Sequence, residues 1–253
     1  MIRVTIYNEF VHERTEEKVR EVYPDGIHMA LKSFLEDGDV VVDTVTLDTV
    51  NELTEEKLKD TDVLVWWGHM AHNKVPDEVA EHVKEAVQRG MGAIFLHSGH
   101  ESKPFKKLMG TPCNLTWRED GDYERVWTVN PAHPIAQGIG RFIYLEHEET
   151  YGEPFGIPEP DETVFIGGYE GGEVFRSGCT FTRGYGKIFY FQPGHETNGS
   201  FSNPYVRRII QNAVHWCYND KNRRITLGAP SIEVTLEQAR LEGNTGEYLK
   251  MWD

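Results

Sequence analysis

The first part of the chain alternates between short apolar runs and segments whose apolar residues recur at helical spacing. The apolar runs predict four strands, at residues 2–7, 40–45, 62–67 and 93–97, and the polar stretch 8–15 is predicted to be a loop. The third and fourth runs are apolar at almost every position, which is typical of strands buried on both faces of a sheet. This alternation predicts a doubly wound, parallel sheet.

Capping signals predict where the intervening helices begin and end. Asp25 is the expected N-cap of a helix that ends before Gly38, and Thr54 is the expected N-cap of a short helix. Pro76, at a first helical position, and Gly90, after a last turn, delimit a longer helix between the third and fourth strands.

The pattern changes from about Leu115 to Phe191, where glycine residues separate short apolar runs. Such runs predict antiparallel hairpins at one edge of the sheet, or a small β insertion. Residues 203–204, Asn-Pro, then start a helix whose apolar face ends at Cys217.

At 253 residues the chain is long enough for one sizeable α/β domain, which we assign to residues 1–222. Residues 223–253 are irregular in pattern, with one short helical stretch at 236–240. We expect this C-terminal extension to pack on the domain or on a neighbouring subunit of a homo-oligomer.

Net charge and the absence of certain motifs exclude several classes of partner. A formal charge of −15 disfavours nucleic acid and anionic membrane surfaces, which require a basic surface. The chain shows neither a leader pattern nor an apolar run of the roughly 20 residues that span a bilayer, so a cytoplasmic location is expected. Three widely spaced cysteines predict reduced, structural thiols. Without GxGxxG or Walker motifs, no nucleotide or flavin is expected.

Histidines and carboxylates follow five of the predicted strands. In an open parallel sheet, ligands bind beyond the carboxyl ends of the strands. The residues expected there are Asn8, Glu9, His12, His69, His72, His97, His100, His147, Glu148, Glu149, His195 and Glu196.

Two or three imidazoles and a carboxylate are what a zinc-type divalent ion requires. Any single histidine is more often the cap of a turn or a donor to a carbonyl, so the prediction of a metal site depends on their joint placement. The HxxH spacing at 69–72 and 97–100 follows strands and is not the helical HExxH arrangement.

Other conspicuous residues have ordinary structural interpretations. His133 stands in a proline-rich turn, and Trp66-Trp67 is expected in the core. His28, on the first helix, fits the core and the site equally well, whereas Trp117 is a candidate for stacking on a ligand ring. Ser98 stands where a hydrolase places its nucleophile, but its neighbours do not form the GxSxG elbow.

Six blocks of sequence resemble the ThuA-like, or trehalose-utilisation, family. They are WWGHMAH (66–72), IFLHSGH (94–100), LMGTPCNLTWRE (108–119), NPAHPIAQGI (130–139), EETYGEPF (148–155) and GKIFYFQPGHE (186–196). That family in turn resembles the class I glutamine amidotransferase-like superfamily. The resemblance implies a flavodoxin-like, three-layer α/β/α sandwich with a mostly parallel sheet and antiparallel edge strands.

The resemblance also implies what the chain does not do. The amidotransferase nucleophile would fall at His97, and its catalytic histidine near Gln192 or His195, so an acyl-enzyme route from glutamine is excluded. The implied substrate is a carbohydrate, such as a 3-keto derivative of trehalose handled alongside a sugar dehydrogenase.

The leading hypothesis is a metal-dependent enzyme of sugar catabolism, a hydrolase, lyase or isomerase. His69, His97 and His195 would hold a zinc-type ion, and Glu196 or Glu149 would be the general base. The further candidates are His100 for catalysis and His28, His72, Glu9 and Trp117 for contacts to the sugar. Two alternatives remain open, a non-catalytic carbohydrate-binding or regulatory protein and a metal-free hydrolase that uses a His/Glu pair.

Overall fold

In the computed structural model of the protein, residues 1–219 are described, and beyond them only Thr235, Glu237 and Gln238. The predicted extension, 223–253, and its helical stretch at 236–240 therefore lie outside the described residues apart from those three. Within the described residues, no helix is long and apolar enough to cross a membrane.

The described residues form eleven strands. They are β1 (Ile2–Asn8), β2 (Val40–Thr46), β3 (Val63–Trp67), β4 (Gly92–Leu96), β5 (Thr116–Arg118), β6 (Glu124–Thr128), β7 (Phe142–Leu145), β8 (Thr150–Gly152), β9 (Glu162–Tyr169), β10 (Val174–Arg183) and β11 (Gly186–Phe191).

The same part of the chain forms seven α-helices. They are α1 (His12–Thr15), α2 (Glu17–Val22), α3 (Ile27–Leu35), α4 (Glu55–Lys59), α5 (Asp77–Gln88), α6 (Lys103–Met109) and α7 (Pro204–Cys217).

Nine strands build one sheet in the order β2-β1-β3-β4-β11-β10-β9-β6-β7, and β5 pairs with β8 in a small separate sheet. The first five strands in this order are mutually parallel. The remaining four are joined by antiparallel pairings. The predicted architecture, with antiparallel strands added at one edge, is confirmed.

Helices cover both faces of the sheet. Leu31 of α3 and Ile210 of α7 are fully buried in one core. Val83 of α5 and Phe105 of α6 are fully buried in a second core on the opposite face. The chain is therefore a three-layer α/β/α sandwich, as predicted.

Several local predictions were confirmed and others were wrong. Thr54 caps α4 by accepting the Lys57 N–H, whereas the N-cap of α3 is Gly26 and not Asp25. Gly26 enters the helix with φ +89, a left-handed conformation that favours glycine. The predicted loop 8–15 contains α1, and neither α2 nor α6 was predicted, because such short helices show little apolar periodicity.

The ends of several strands meet at one edge of the sheet, which we call the carboxyl edge. β1, β3, β4 and β11 are parallel and therefore all end there. Four antiparallel pairings separate β7 from β11, so β7 runs in the same direction and ends at that edge too. The segments that follow these strands are thus brought together although they lie far apart in sequence.

Candidate functional site

Three imidazole rings converge at the carboxyl edge. The ring centroids of His69 and His97 are 5.6 Å apart, those of His69 and His195 are 5.2 Å apart, and those of His97 and His195 are 5.3 Å apart. Each of these histidines and Glu149 offers one donor atom, and the four atoms lie within 4.8 Å of one another. We call these four residues the histidine cluster.

His69 is positioned by a carboxylate from the first strand's end. The loop after β3 begins at Gly68, and the two oxygens of Glu9 accept the backbone N–H groups of His69 and Met70 at 3.0 Å each. Glu9 is 2 % exposed, so its carboxylate is committed to the backbone. The structure therefore shows Glu9 holding this loop, and its predicted contact to sugar stays a prediction.

His97 follows β4 at a sharp turn. Its φ of +50 is unusual for a residue with a side chain and indicates local strain of about 1–3 kcal/mol. The ring Nδ1–H donates to the Gln192 carbonyl at 2.9 Å, which leaves Nε2 directed toward the cluster. Tyr151 stacks on the ring with a centroid distance of 5.2 Å. The strained turn and the fixed ring together hold this nitrogen in place.

His195 is held by Glu148, which sequence reasoning placed at this edge but did not choose as a site residue. Glu148 is buried and accepts the backbone N–H groups of Gly194 and His195, at 3.0 and 3.2 Å. It also accepts the Ser200 hydroxyl at 2.6 Å. The ring Nδ1 of His195 lies 2.9 Å from Thr197 Oγ1, so Nε2 is the nitrogen available to a ligand.

Glu149 brings a carboxylate oxygen into the cluster. Its Oε2 lies 2.9 Å from His97 Nε2, a distance typical of a hydrogen bond. This buried oxygen has no other hydrogen-bond partner. The carboxylate of Glu149 therefore faces the other donor atoms of the cluster, where a shared ligand could bind.

Glu196 stands behind His69. Its Oε1 accepts the His69 Nδ1–H at 2.9 Å and lies 3.0 Å from Nδ1 of His12. His12, His69 and Glu196 form a second group of possible metal ligands that shares His69 with the histidine cluster. A carboxylate behind an imidazole fixes the tautomer and the orientation of the ring.

The pKa values of the residues in the histidine cluster depend on one another. Burial opposes the charged form of His97, but the carboxylate of Glu149 outweighs it and raises the pKa of His97 to about 9. Burial and the positive charge of His97 lower the pKa of His195 to about 4. Burial disfavours the charged Glu149, yet the contact with His97 lowers its pKa below the usual value. His195 is therefore neutral at pH 7, whereas His97 holds a proton that Glu149 stabilises.

His72 and His100 lie outside the histidine cluster. His100 donates from Nδ1 to the Cys113 carbonyl at 2.7 Å, and its ring packs edge-on against Tyr151 and Phe155. Burial is the main reason that the pKa values of both histidines fall to about 4. Both are therefore neutral at pH 7.

The remaining candidate residues contact other groups or are exposed. His28 is in contact with Asn8, with 2.9 Å between Nδ1 and Nδ2. Trp117 lies on β5 and is 66 % exposed, and His147 donates to the Gly121 carbonyl. Ser98 is paired with the Tyr151 hydroxyl at 2.8 Å and with no histidine. The structure does not bring these four into the histidine cluster.

Residues that sequence reasoning missed act mainly through the backbone or through another side chain. Tyr151, Gln192 and Glu148 are buried around the cluster. In the sequence, Glu148 is visible only as an acidic residue directly before Glu149. Such a pair could not be distinguished from two glutamates exposed to solvent. His12 was noted at this edge, but its link to Glu196 could not be read from sequence.

The sequence matches one family model across most of its length. That model, ThuA, described as trehalose utilisation, covers residues 3–217. The chain belongs to the ThuA family. No curated protein matches it.

Solved structures similar to this ThuA-family chain share its fold. A ThuA-like protein from Parabacteroides merdae has a TM-score of 0.66 at 16% identity, over 91% of this chain and 93% of its own. A cytoplasmic protein from Salmonella typhimurium LT2 has a TM-score of 0.61 at 13% identity, over 87% of this chain and 100% of its own. A glutamine amidotransferase from Thermotoga maritima has a TM-score of 0.52 at 14% identity, over 84% of this chain and 98% of its own.

The amidotransferase-like fold of this ThuA-family chain carries no thiol in the histidine cluster. Its three cysteines, Cys113, Cys179 and Cys217, are buried and free. Burial raises the pKa of each thiol, which makes all of them poor nucleophiles.

Proposed function

We propose that this ThuA-family protein is a metal-dependent enzyme that acts on a carbohydrate, with a zinc-type ion held by His69, His97 and His195. The observation that carries the proposal is the convergence of three imidazoles and a buried carboxylate, whose donor atoms lie within 4.8 Å of one another. Three imidazoles with a carboxylate alongside are a typical donor set for catalytic zinc, once the ion has displaced the proton of His97. The family description, trehalose utilisation, supports a carbohydrate as the substrate.

An ion of this kind, when bound, supplies Lewis acidity to a carbonyl oxygen or lowers the pKa of a water molecule. The chain's own groups have separate tasks. Glu149 accepts or returns the proton, because its Oε2 lies in the cluster, 2.9 Å from His97 Nε2. Gln192 fixes the tautomer of His97 through its carbonyl.

Glu196 is better suited to positioning than to proton transfer. Its Oε1 is shared by His69 and His12, and these contacts outweigh burial and hold its pKa far below the usual range. A carboxylate that is so strongly held as an anion is a weak base. Of the two general bases that the sequence left open, the proposal therefore selects Glu149.

Metal content tests this proposal directly. Protein purified without chelators should contain about one equivalent of a divalent ion by mass spectrometry, and His195→Ala should contain far less. His97→Asn is a second variant, because asparagine tolerates a positive φ better than most residues and so preserves the turn.

His82→Ala is the matched control, since His82 lies on α5 at Leu53 and away from the carboxyl edge. It should retain the metal content of the wild type. If the wild type holds no stoichiometric ion and binds none in a calorimetric titration with Zn²⁺, the metal-dependent function is rejected. Turnover that survives chelation would favour the metal-free His/Glu hydrolase instead.

A further inference from the structure

A buried carboxyl group that the proposed chemistry does not use lies behind the histidine cluster. Glu124, at the start of β6, is fully buried. Its Oε1 lies 2.9 Å from Oγ of Ser177, which is fully buried on β10. Among the described residues, no lysine, arginine or histidine forms a salt bridge with Glu124. A charge buried without such a partner is costly, so the carboxyl needs another explanation.

Two departures from regular sheet geometry bring Glu124 and Ser177 together. A Cβ at Gly167, on the neighbouring strand β9, would collide with Glu124 Oε1, so the carboxyl occupies space that only glycine leaves open. Ser177 lies where the register between β10 and β9 shifts, between Phe175 and Gly178. Such an irregularity redirects a side chain and is common next to functional sites.

Ser177 connects Glu124 to Gln192, which contacts two residues of the histidine cluster. The Gln192 backbone N–H donates to the Ser177 carbonyl at 2.8 Å, and Gln192 Oε1 lies 3.3 Å from Ser177 Oγ. The side-chain amide of Gln192 donates to the Glu149 backbone carbonyl at 3.0 Å. Its own backbone carbonyl accepts the His97 Nδ1–H at 2.9 Å. One fully buried residue therefore positions both His97 and Glu149.

The number of donors along this chain of contacts depends on the protonation of Glu124. Only Nε2 of Gln192 can donate to the Glu149 carbonyl, so Oε1 must be the atom that faces Ser177. The single hydroxyl proton of Ser177 thus lies between two oxygens, one from Glu124 and one from Gln192. If Glu124 is ionised, both oxygens only accept, and one of them lacks a donor. If Glu124 is protonated, it donates to Ser177, which donates to Gln192, and every contact is satisfied.

The surroundings of Glu124 also favour the protonated form. Burial and the nearby carboxylate of Glu148 raise the pKa of Glu124 well above its usual value. Contacts with Ser177 and Tyr169 and the positive charge of His97 act in the opposite direction, but they are weaker. The electrostatics and the hydrogen-bond geometry therefore agree.

We propose that Glu124 is a positioning residue: as a neutral carboxylic acid it donates to Ser177, Ser177 donates to Gln192, and Gln192 holds His97 and Glu149 in place. Glu124 acts on the histidine cluster only through this chain of contacts. The link to metal binding rests on the proposed function. The protonation of Glu124 and the hydrogen bond of His97 can both be measured in the metal-free protein.

Infrared difference spectroscopy tests the protonation of Glu124. At pH 7, the spectrum of the metal-free wild type minus that of Glu124→Gln should show the C=O stretching band of a carboxylic acid, and this band should shift in D₂O. A difference spectrum that shows carboxylate bands in its place would overturn the proposal.

Substitutions that keep or remove the donor test the positioning role. Glu124→Gln keeps an N–H group that can donate to Ser177, whereas Glu124→Leu and Ser177→Ala break the chain. Affinity for Zn²⁺ should stay within about twofold in Glu124→Gln and fall by about tenfold in the other two, the lower end for groups that support metal ligands. Nitrogen NMR of the metal-free protein should show the His97 Nδ1–H signal unchanged in Glu124→Gln and shifted or broadened in the other two. Ser177→Ala removes a single hydroxyl and keeps the test decisive if Glu124→Leu does not fold.

Thr61→Val is the matched control, because it removes a buried hydroxyl that lies 2.8 Å from Thr5 Oγ1, before β3 at the opposite edge of the sheet. It should bind Zn²⁺ as the wild type does. Wild-type affinity in Ser177→Ala, or as large a loss in Glu124→Gln as in Glu124→Leu, would reject the positioning role. If the wild type binds no Zn²⁺, the metal-dependent function fails, and the infrared band and the His97 signal still decide this inference.

Discussion

At the scale of single residues, His97 combines three constraints. Its backbone is in the left-handed region, its Nδ1 is tied to a carbonyl, and its Nε2 lies 2.9 Å from Glu149. Strained backbone persists only where surrounding contacts enforce it, and it is concentrated at functional sites. The resemblance to amidotransferases placed a nucleophile at this position, and the structure shows an imidazole there on the turn after β4.

The proton on His97 should make metal affinity depend on pH. Because its pKa is raised to about 9, the ion must displace a proton from Nε2 at pH 7. The affinity for Zn²⁺ should therefore rise by about tenfold per pH unit from pH 7 and level off near pH 9. Calorimetry in buffers of different ionisation enthalpy should detect release of about one proton. An affinity that is flat over this range would contradict the assignment.

The same proton links pH to the stability of the metal-free protein. The folded pKa of His97 lies above its usual value of 6.5, so the contact with Glu149 stabilises the folded state fully below that value. This contribution should be lost as the pH rises from 6.5 through about 9. Urea unfolding of chelator-treated protein should show decreasing stability over that interval, and His97→Asn should reduce the slope.

Glu196 should raise the affinity for the metal without being one of its ligands. In Glu196→Gln the charged acceptor behind His69 is lost, so the ring becomes a weaker and less well-oriented ligand. Affinity for Zn²⁺ should fall by about 10–100-fold, measured by competition with a chromophoric chelator. Glu52→Gln, at an exposed glutamate, should have no effect. Unchanged affinity in Glu196→Gln would remove Glu196 from the site.

At the scale of elements, the spacing of apolar residues was sufficient to predict a strand or helix where that element was long and buried. The four predicted parallel strands and the helix starting at residues 203–204 appear in the structure. The short helices α1, α2 and α6 were missed because four to seven residues cannot establish a helical period. β11 was predicted among the antiparallel hairpin strands; it does pair antiparallel with β10, but its other edge pairs in parallel with β4.

The segment 194–200, which carries His195, should depend on Glu148. That carboxylate accepts two backbone N–H groups of this segment and the Ser200 hydroxyl, and all are buried. Glu148→Ala leaves these donors without a partner and should lower the free energy of unfolding by about 3 kcal/mol. Urea unfolding measures this, with Glu52→Ala as the control. A loss below about 0.5 kcal/mol, the usual surface value, would show that the segment is held by other contacts.

At the scale of the whole molecule, the sequence predicted which strand ends meet but not how the rings are oriented. Counting parallel strands was enough to place His69, His97 and His195 at one edge. Their tautomers depend on Gln192, Thr197 and Glu196, whose atoms reach them only in the assembled fold. The pattern of apolar residues in the sequence predicts which strand ends meet, whereas the orientation of the histidine rings depends on side-chain contacts in the folded protein.

A bound ion would therefore cross-link the whole carboxyl edge. The three histidines follow β3, β4 and β11, and Glu149 precedes β8, so one ion would join four segments that are distant in sequence. Because the ligands are together only in the folded state, binding must stabilise folding. With the ion at about a thousand times its dissociation constant, the gain should be about 4 kcal/mol. For a domain of this size that corresponds to a rise in Tm of roughly 10 °C.

Differential scanning calorimetry with Zn²⁺ and with a chelator should show this rise as one cooperative transition that moves as a unit. His82→Ala should respond to Zn²⁺ as the wild type does, while His195→Ala should show little response. A shift confined to a small fraction of the unfolding enthalpy would mean that the ion binds a locally unfolding segment and not the assembled edge. A Tm that Zn²⁺ leaves unchanged would mean that these imidazoles converge for another reason, and the metal-free alternatives would then have to explain the close pair of His97 and Glu149.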